Sequence, residues 1–479
     1  MMNYSKVKRL GLVLGPLLFF IINSLNIEFI SDKADAVISV AIWMITWWIT
    51  EAVSISVTAL LPLVLFPLLK TMSIGDVGAN YGSPIVFLFF GGFVLALALE
   101  KVNLHKRIAL NIIKLTGTTP NKVILGFMIA TGLLSMWISN TASTVVMLPI
   151  ALSVIQLLID DEDGFTKKDR NFALSVMLGI AFSANAGGIA TVIGTPPNSV
   201  LIGLLENEYN IEISFVKWMT FGLPFSIVMI LIVYLVLVKF MYPNRGLVFN
   251  TSENIIDDEI EKLGKLTKRE KHVLVIFAVT VFLWIFRAVI NKLLPSLGLT
   301  DTIISVAAAL AVFAIPHNIK TGEFIIEWKD TEKLSWGILI LFGGGLALAK
   351  GMSSSGIVDL ISATIASYNL GVLITAFVLI TLMLFMTELM SNVALVAVLA
   401  PVVAGIAIGI DVPVIHLLIP VTMASSCAFM LPMATPPNAI VFASGYIKVK
   451  DMMKAGVILN CLAVLLLMAL FTFIIPVLF

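Results

Sequence analysis

The stretch WISNTASTVVMLP, Trp137 to Pro149, sets a Ser-Asn-Thr triplet inside an apolar run, and MSNVALVAVLAP, Met390 to Pro401, echoes it 252 positions later (392 − 140 for the asparagines). Each run is long enough to cross a bilayer, where an unpaired polar group is expensive. A polar Ser-Asn pair placed there twice needs a chemical reason, and the sequence around it supplies one.

The 479 residues are 59% hydrophobic and 12% charged, with a mean hydropathy of +1.06. Several uninterrupted spans of about 20 apolar residues fit such a chain, which marks a polytopic membrane protein. The formal net charge of +1 says nothing about partners until charges are placed by side of the membrane. No basic and aromatic pattern points to nucleic acid. Cys427 and Cys461 sit in apolar segments and read as small core residues rather than a disulfide.

Taken in order, Lys6, Lys8 and Arg9 precede an apolar run from Leu10 to Ile30. It is too long for a signal-peptide core and no small-residue cleavage site follows, so it reads as a retained first helix. Spans over Ala36–Thr50, Ala52–Leu69 and Ser83–Lys101 come next, then a basic amphipathic stretch, Val102 to Thr118, of the kind that lies in the interface. The block Lys122 to Ile159 holds 38 residues with Ser139-Asn140-Thr141 at its centre. A re-entrant hairpin that enters and leaves on one side accommodates it. After the Asp160–Arg170 loop, the span Phe172 to Leu205 is interrupted by Thr195-Pro196-Pro197-Asn198, where paired prolines should split the helix. Phe215 to Met241 closes the first half, and a hydrophilic linker, Tyr242 to Lys271, follows.

The pattern then recurs. Val273–Ile290, Ile303–Pro316 and Leu334–Lys350 are spans, Met352 to Ser367 is amphipathic, and Leu370 to Ile410 forms a second hairpin block around Ser391-Asn392. Val414 to Gly445 is broken at Thr435-Pro436-Pro437-Asn438, and Met452 to Phe479 is the last span. Phe90-Gly91-Gly92 matches Phe342-Gly343-Gly344, Ser135 matches Thr387 and Pro149 matches Pro401, all at 252, while the TPPN boxes are 240 apart (435 − 195). About 12 extra residues therefore lie in the first copy, at the 160–170 loop (252 − 240). The first helix aside, each unit has five spans and one hairpin, so the second copy must be inverted. The expected fold is all-α and polytopic, with 11 transmembrane helices plus two re-entrant hairpins in two inverted-topology repeats.

Charge placement orients it. With Lys6 to Arg9 cytoplasmic, only Lys33, Lys70, Lys217, Arg287, Lys292 and Lys350 fall outside, which leaves 24 of the 30 basic residues inside. The first hairpin then opens from the cytoplasm, the second from outside, and Phe479 lies on the outer side. Inversion also puts Glu51 and Arg287, in the similar WITEAV and WIFRAV, at opposite faces, so they do not pair.

Inverted repeats with broken helices mark secondary transporters, whose sites form near the midplane. A Ser-Asn-Thr tip starts the second hairpin arm with N-cap residues, so free N–H groups and the positive end of a helix dipole favour an anion. A helix broken before Pro-Pro frees carbonyls around Gly194 and Ala434, which suit a hard monovalent cation such as sodium. No Lys or Arg lies near either tip, so sodium must supply the neutralising charge. Glu388 precedes the second tip where the first copy has Met136, and either orients the tip or couples protons. The four histidines show no metal-ligand spacing. HExxH, GxSxG and Walker A patterns are missing, which argues against an enzyme.

SNTASTVVMLP, GTPPN, TELMSN and ATPPN, with WWITEA near the second span, resemble the divalent anion:sodium symporter family, the dicarboxylate and citrate carriers sometimes called INDY-like, over essentially the whole chain. The resemblance implies a homodimer in the cell (inner or plasma) membrane and an elevator mechanism. Scaffold halves would be residues 1–119 and 272–367, transport-domain halves 120–242 and 368–479, with a cytoplasmic linker at 243–271. It implies one sodium site at Ser135, Ser139, Asn140 and Gly194 and another at Thr387, Met390, Asn392 and Ala434. Substrate carboxylates would meet Ser139, Asn140, Thr141, Ser391, Asn392, Thr435 and Pro436, with Thr195 and Pro196 flanking. Val393 departs from the paired pattern, standing where the first motif has Thr141, and bears on substrate choice. The function implied is sodium-coupled uptake of a C4-dicarboxylate of the succinate, malate and fumarate class. A sodium-independent exchanger, or citrate or sulfate as main substrate, are the alternatives.

Overall fold

The computed structural model describes residues 6–25, 31–117, 119–159, 166–244, 247, 252–318, 322–368 and 371–479. Among them the chain is helical except for turns and one short ribbon, Pro316–Asn318 against Glu323–Phe324. Parts of the first span, of the 160–170 loop and of the linker fall outside the described residues.

The first half begins with α1 (Lys6–Ser24) and α2 (Asp32–Thr50), which pack on each other. Ser31 caps α2, its hydroxyl accepting the Ala34 N–H at 3.2 Å, and Glu51 ends it in the left-handed conformation. The span expected over Ala52–Leu69 is not one helix. It divides into α3 (Ile55–Thr58) and α4 (Leu61–Leu68), followed by α5 (Ile74–Tyr81). Pro62 has no N–H to offer the Thr58 carbonyl, and that missing bond separates α3 from α4.

Then come α6 (Pro84–Lys101), α7 (Leu104–Thr116), the hairpin arms α8 (Pro120–Ser135) and α9 (Asn140–Ile159), and the broken pair α10 (Lys167–Gly188) and α11 (Pro196–Tyr209). The half ends with α12 (Phe215–Tyr234), which runs on as a π-helix, Leu235–Met241. In the linker, α13 (Ser252–Leu263) covers the basic side of α7: Lys106 pairs with Glu259 at 2.8 Å and Lys114 with Asp257, while Arg107 pairs with Glu270, in the first turn of the helix that follows, at 2.6 Å. The amphipathic helix expected to face the interface thus has its cations held by protein carboxylates.

The second half repeats the order. After α14 (Lys268–Leu293) and α15 (Asp301–Ala314) come α16 (Trp336–Ser354), α17 (Ile357–Ala366), hairpin arms α18 (Val372–Thr387) and α19 (Asn392–Gly409), and the broken pair α20 (Val414–Ala424) and α21 (Pro436–Phe442). α22 (Val449–Ala469) also runs into a π-helix, Leu470–Ile474, before the short α23 (Ile475–Leu478). Among the described residues, seven helices are long and apolar enough to cross a membrane, and the hairpin arms α8 and α18 are shorter. Glu51 pairs with Lys8, and Arg287 with Glu212 and Asp301, so the two similar sequences stay apart as expected.

α10 is the core of the molecule. Every residue from Phe172 to Gly188 is buried, and the helix packs against α8, α9, α12 and α21. A helix apolar on all faces is stable only inside such a cage. By contrast α14, long and apolar enough to cross a membrane, exposes Val275, Phe282 and Val289 on its outer face. The glycines of the repeated Phe-Gly-Gly motif are close-approach positions: a Cβ on Gly91 would strike Ser305 of α15, and one on Gly344 would strike Ala59.

Gly344→Ala should therefore overpack this contact, at a cost of about 1–3 kcal/mol. A lowered thermal midpoint in detergent is expected, with Gly78→Ala, where a Cβ meets nothing within 4 Å, unchanged.

Candidate functional site

α8 ends at Ser135 and α9 starts at Asn140, leaving a four-residue tip at 136–139 (139 − 135). Ser139 caps α9, its hydroxyl accepting the Ala142 N–H at 3.1 Å. Ser139 and Thr141 are exposed at the tip, and Asn140 is half-buried. Ser135, fully buried, points its hydroxyl at both the Asn140 Oδ1 and the Ala184 carbonyl of α10, the latter at 2.8 Å.

The second tip is built the same way. The Thr387 hydroxyl lies 2.6 Å from Asn392 Oδ1 and 2.7 Å from the Ser425 carbonyl at the end of α20. Ser391 is the N-cap residue of α19, though its side chain makes no cap bond, and Met390 is half-buried in the tip. Each tip therefore gathers three oxygens around one hydroxyl proton. A hydroxyl can serve only one of two acceptors, so the cluster is rich in lone pairs and short of protons. That is the environment a cation relieves.

The breaks are held by asparagines. Asn198, of the first TPPN box, donates its amide to the carbonyls of Thr191 at 2.8 Å and of Gly188 and Ile189 at 3.5 Å. Asn438 donates to Leu431 at 3.0 Å and Ala428 at 3.1 Å. The separations of 7 and 10 residues are the same in both (198 − 191 and 438 − 431; 198 − 188 and 438 − 428). Gly194 N–H bonds to Thr191, and Ala434 N–H to Leu431, again in register.

Gly194 joins the first cluster through Gly188. A Cβ on Gly188 would lie 2.6 Å from Asn140 Oδ1 and 3.0 Å from the Gly194 carbonyl, so both belong to one tight space. Among the described contacts, Ala434 has no comparable tie to Thr387 and Asn392. Thr195 and Thr435 are buried in extended conformation before their half-helices, Pro196 is half-buried, and Pro436 is exposed. Val393 is buried, unlike Thr141. Among the described residues no hydrogen bond joins the two tips. The repeats meet instead through packing of α9 on α21 and α11 on α19, and through Asn185.

Asn185, fully buried in α10, donates to Ala428 at 3.1 Å, to the Thr435 hydroxyl at 3.0 Å and to Asn438 Oδ1 at 3.3 Å. It ties the core helix of one repeat to the break of the other. Neither Asn185 nor Gly188 was singled out by the sequence reading. The Gly187-Gly188 pair six residues before Gly194 was the available signal for the latter (194 − 188), and a lone Asn in an apolar helix for the former. Glu388, flagged as an asymmetric acid, is buried and accepts backbone N–H groups from Phe429, Met430 and Leu431.

Asn198→Ala or Asn438→Ala would leave buried carbonyls without donors, at about 1–3 kcal/mol each. Each variant should show a lowered thermal midpoint, whereas an exposed change such as Thr472→Ala should not.

A family profile described as "Sodium:sulfate symporter transmembrane region" matches residues 8–479. The "Sodium-dependent dicarboxylate transporter SdcS" of Staphylococcus saprophyticus is 38% identical over 480 aligned positions, covering 99% of this chain and 92% of that protein. The protein of the same name from Staphylococcus aureus strain USA300 is also 38% identical with the same coverage. Among solved structures, the Alcanivorax borkumensis YdaH transporter superposes with a TM-score of 0.60 at 12% identity, over 84% of this chain and 87% of that one, which is a likeness of fold alone.

Proposed function

This chain belongs to the sodium:sulfate symporter family of membrane transporters, and we propose that it carries a C4-dicarboxylate of the succinate, malate and fumarate class into the cytoplasm together with sodium. The observation that carries the reading is the pair of proton-poor oxygen clusters, Ser135 with Asn140 and Ala184, and Thr387 with Asn392 and Ser425. Hydroxyl, amide and carbonyl oxygens suit a hard cation. Beside them the N-termini of α9 and α19 offer free N–H groups and positive dipole ends to a carboxylate. With no Lys or Arg in the tips or breaks, anion and cation each lower the cost of burying the other. Coupling is then a matter of shared binding free energy, reciprocal between the two ligands.

In this reading Ser135, Ser139, Asn140 and the Gly194 carbonyl hold one sodium, and Thr387, Asn392 and the Met390 and Ala434 carbonyls hold the other. Ser139, Asn140, Thr141, Ser391 and Asn392 meet the substrate, with Thr195, Pro196, Val393, Thr435 and Pro436 shaping the space around it. The chain crosses the membrane 11 times, with residues 120–242 and 368–479, which hold both hairpins and both broken helices, as a moving transport domain and residues 1–119 and 272–367 as the scaffold of a homodimer. α7 and α17 are the arms that connect the two domains in each repeat, and α13 braces the first of them.

The order of crossings is supported by the ion pairs, while the orientation, with the N-terminus cytoplasmic and the C-terminus outside, rests on the loop charges. Lys350–Glu208 and Arg287–Glu212 join residues assigned to the outer face, while Lys101–Asp330, Arg107–Glu270 and Arg170–Asp451 join residues assigned to the inner one. A topology with the wrong crossing order would pair charges across a bilayer.

In proteoliposomes, succinate uptake should require external sodium, and equal rates in choline would refute the coupling. Ser135→Ala and Thr387→Val each remove one cluster oxygen and should raise the half-saturating sodium concentration by about tenfold, the equivalent of 1.4 kcal/mol. Unlabelled succinate, malate and fumarate should compete with labelled succinate; stronger competition by citrate or sulfate would reassign the substrate.

A further inference from the structure

The two repeats solve one problem in opposite ways where tip meets break. Aligned through their TPPN asparagines, Ile189, Ala190 and Thr191 of the first repeat correspond to Phe429, Met430 and Leu431 of the second, 240 positions on (438 − 198). In the first, α10 continues to Gly188, and the next two N–H groups fold back onto Ala186 at 3.3 Å and Gly187 at 3.0 Å. The tip is tied by the Thr191 hydroxyl, which donates to the Met136 carbonyl at 2.6 Å.

In the second repeat α20 stops at Ala424, four residues before the position equivalent to Gly188 (428 − 424). One turn of helix is missing, and the freed N–H groups of Phe429, Met430 and Leu431 reach the Glu388 carboxylate at 2.8, 2.9 and 3.1 Å. Asn460 of α22 donates a fourth bond at 2.7 Å, and both side chains are buried. Glu388 stands where the first repeat has Met136, and Leu431 where it has Thr191. The side-chain half of the tie has moved from the break to the tip: a threonine donating to a tip carbonyl on one side, a tip carboxylate accepting from the break on the other.

We propose that Glu388 is a positioning residue, which with Asn460 replaces the missing helical turn and holds segment 425–431 open so that the Ser425 carbonyl faces Thr387. All four contacts are N–H donors, three on Oε1 and that of Leu431 on Oε2, so both oxygens of the carboxylate act as acceptors. Glutamine could not reproduce them, because its amide nitrogen would face an N–H. Asn460 ties the second break to α22 through Glu388, whereas the first break meets α12 directly, the Trp218 indole N–H donating to the Ile189 carbonyl at 2.9 Å. This assignment rests on the transport reading only for its effect on sodium dependence; the backbone consequence stands apart from any substrate.

The test follows the swap. Glu388→Met should speed amide hydrogen exchange at Phe429, Met430 and Leu431 by at least tenfold and raise the half-saturating sodium concentration for uptake. Adding Leu431→Thr installs the tie of the first repeat and should restore slow exchange and at least part of the sodium response, while Leu431→Thr alone should do little. Asn460→Ala, with three of the four donors kept, should give an intermediate result. If Glu388→Met does not fold, fast exchange of these three amides in the unaltered protein already refutes the assignment, and slow exchange supports it. A double variant no better than Glu388→Met, or proton movement accompanying uptake that disappears in Glu388→Gln, would overturn it. Absence of succinate uptake by the unaltered protein would refute the transport reading and leave the exchange result intact.

Discussion

A helix interrupted inside an apolar body leaves N–H and C=O groups that no water can reach, and the cost of such orphans governs the centre of this molecule. Both breaks meet it with an asparagine 7 and 10 residues beyond the carbonyls it serves. Two amide hydrogens on a short, buried side chain fold each loop back on the following half-helix and fix its shape. What the asparagine satisfies is the first part of the loop. Among the described residues no hydrogen bond ends on the Gly194 carbonyl, which is left to face the tip. Removal of this constraint would let each break collapse into a longer helix or an irregular loop, and the oxygen clusters would disperse with it.

The clusters are themselves costly. Three oxygens converging on one proton repel one another, and a folded chain keeps that arrangement only where packing enforces it or a ligand relieves it. Here packing enforces it on one side through α10, buried over its whole apolar length, and Gly188, whose missing side chain lets Asn140 approach. Asn185 extends the enforcement to the other repeat. Asn185 thus joins the core helix of the first repeat to the break of the second.

Much of this was legible in the chain. The 252-residue echo, the TPPN boxes and the apolar runs are period and composition signals, and they located tips and breaks within a few residues. Ser135 and Thr387 each meet the asparagine five residues on (140 − 135 and 392 − 387). The division of 52–69 into α3 and α4 was missed because hydropathy is blind to a single absent N–H at Pro62. The cover of α13 over α7 was missed because charge patterns show which residues seek partners and not where those partners are. Asn185 escaped because a lone buried amide has no periodicity. Its meaning lies in what crosses it in space, from a segment some 240 positions away (428 − 185 = 243).

The residual asymmetry between the tips then acquires a direction. Thr141 is exposed at the first tip, while Val393 is buried at the second, so the hydroxyl and the methyl groups differ in setting as well as chemistry. An anion with two carboxylates lying between the tips would find a hydrogen-bonding partner at one end that the other end lacks. Its two ends would be bound unequally, by about the 0.5–1.5 kcal/mol of a single net hydrogen bond. That difference is enough to orient an unsymmetrical substrate such as malate and too small to exclude a symmetrical one such as succinate. Discrimination among dicarboxylates is therefore expected to come from the length and hydroxyl pattern of the substrate measured against Thr141, with Val393 setting an apolar boundary on the other side.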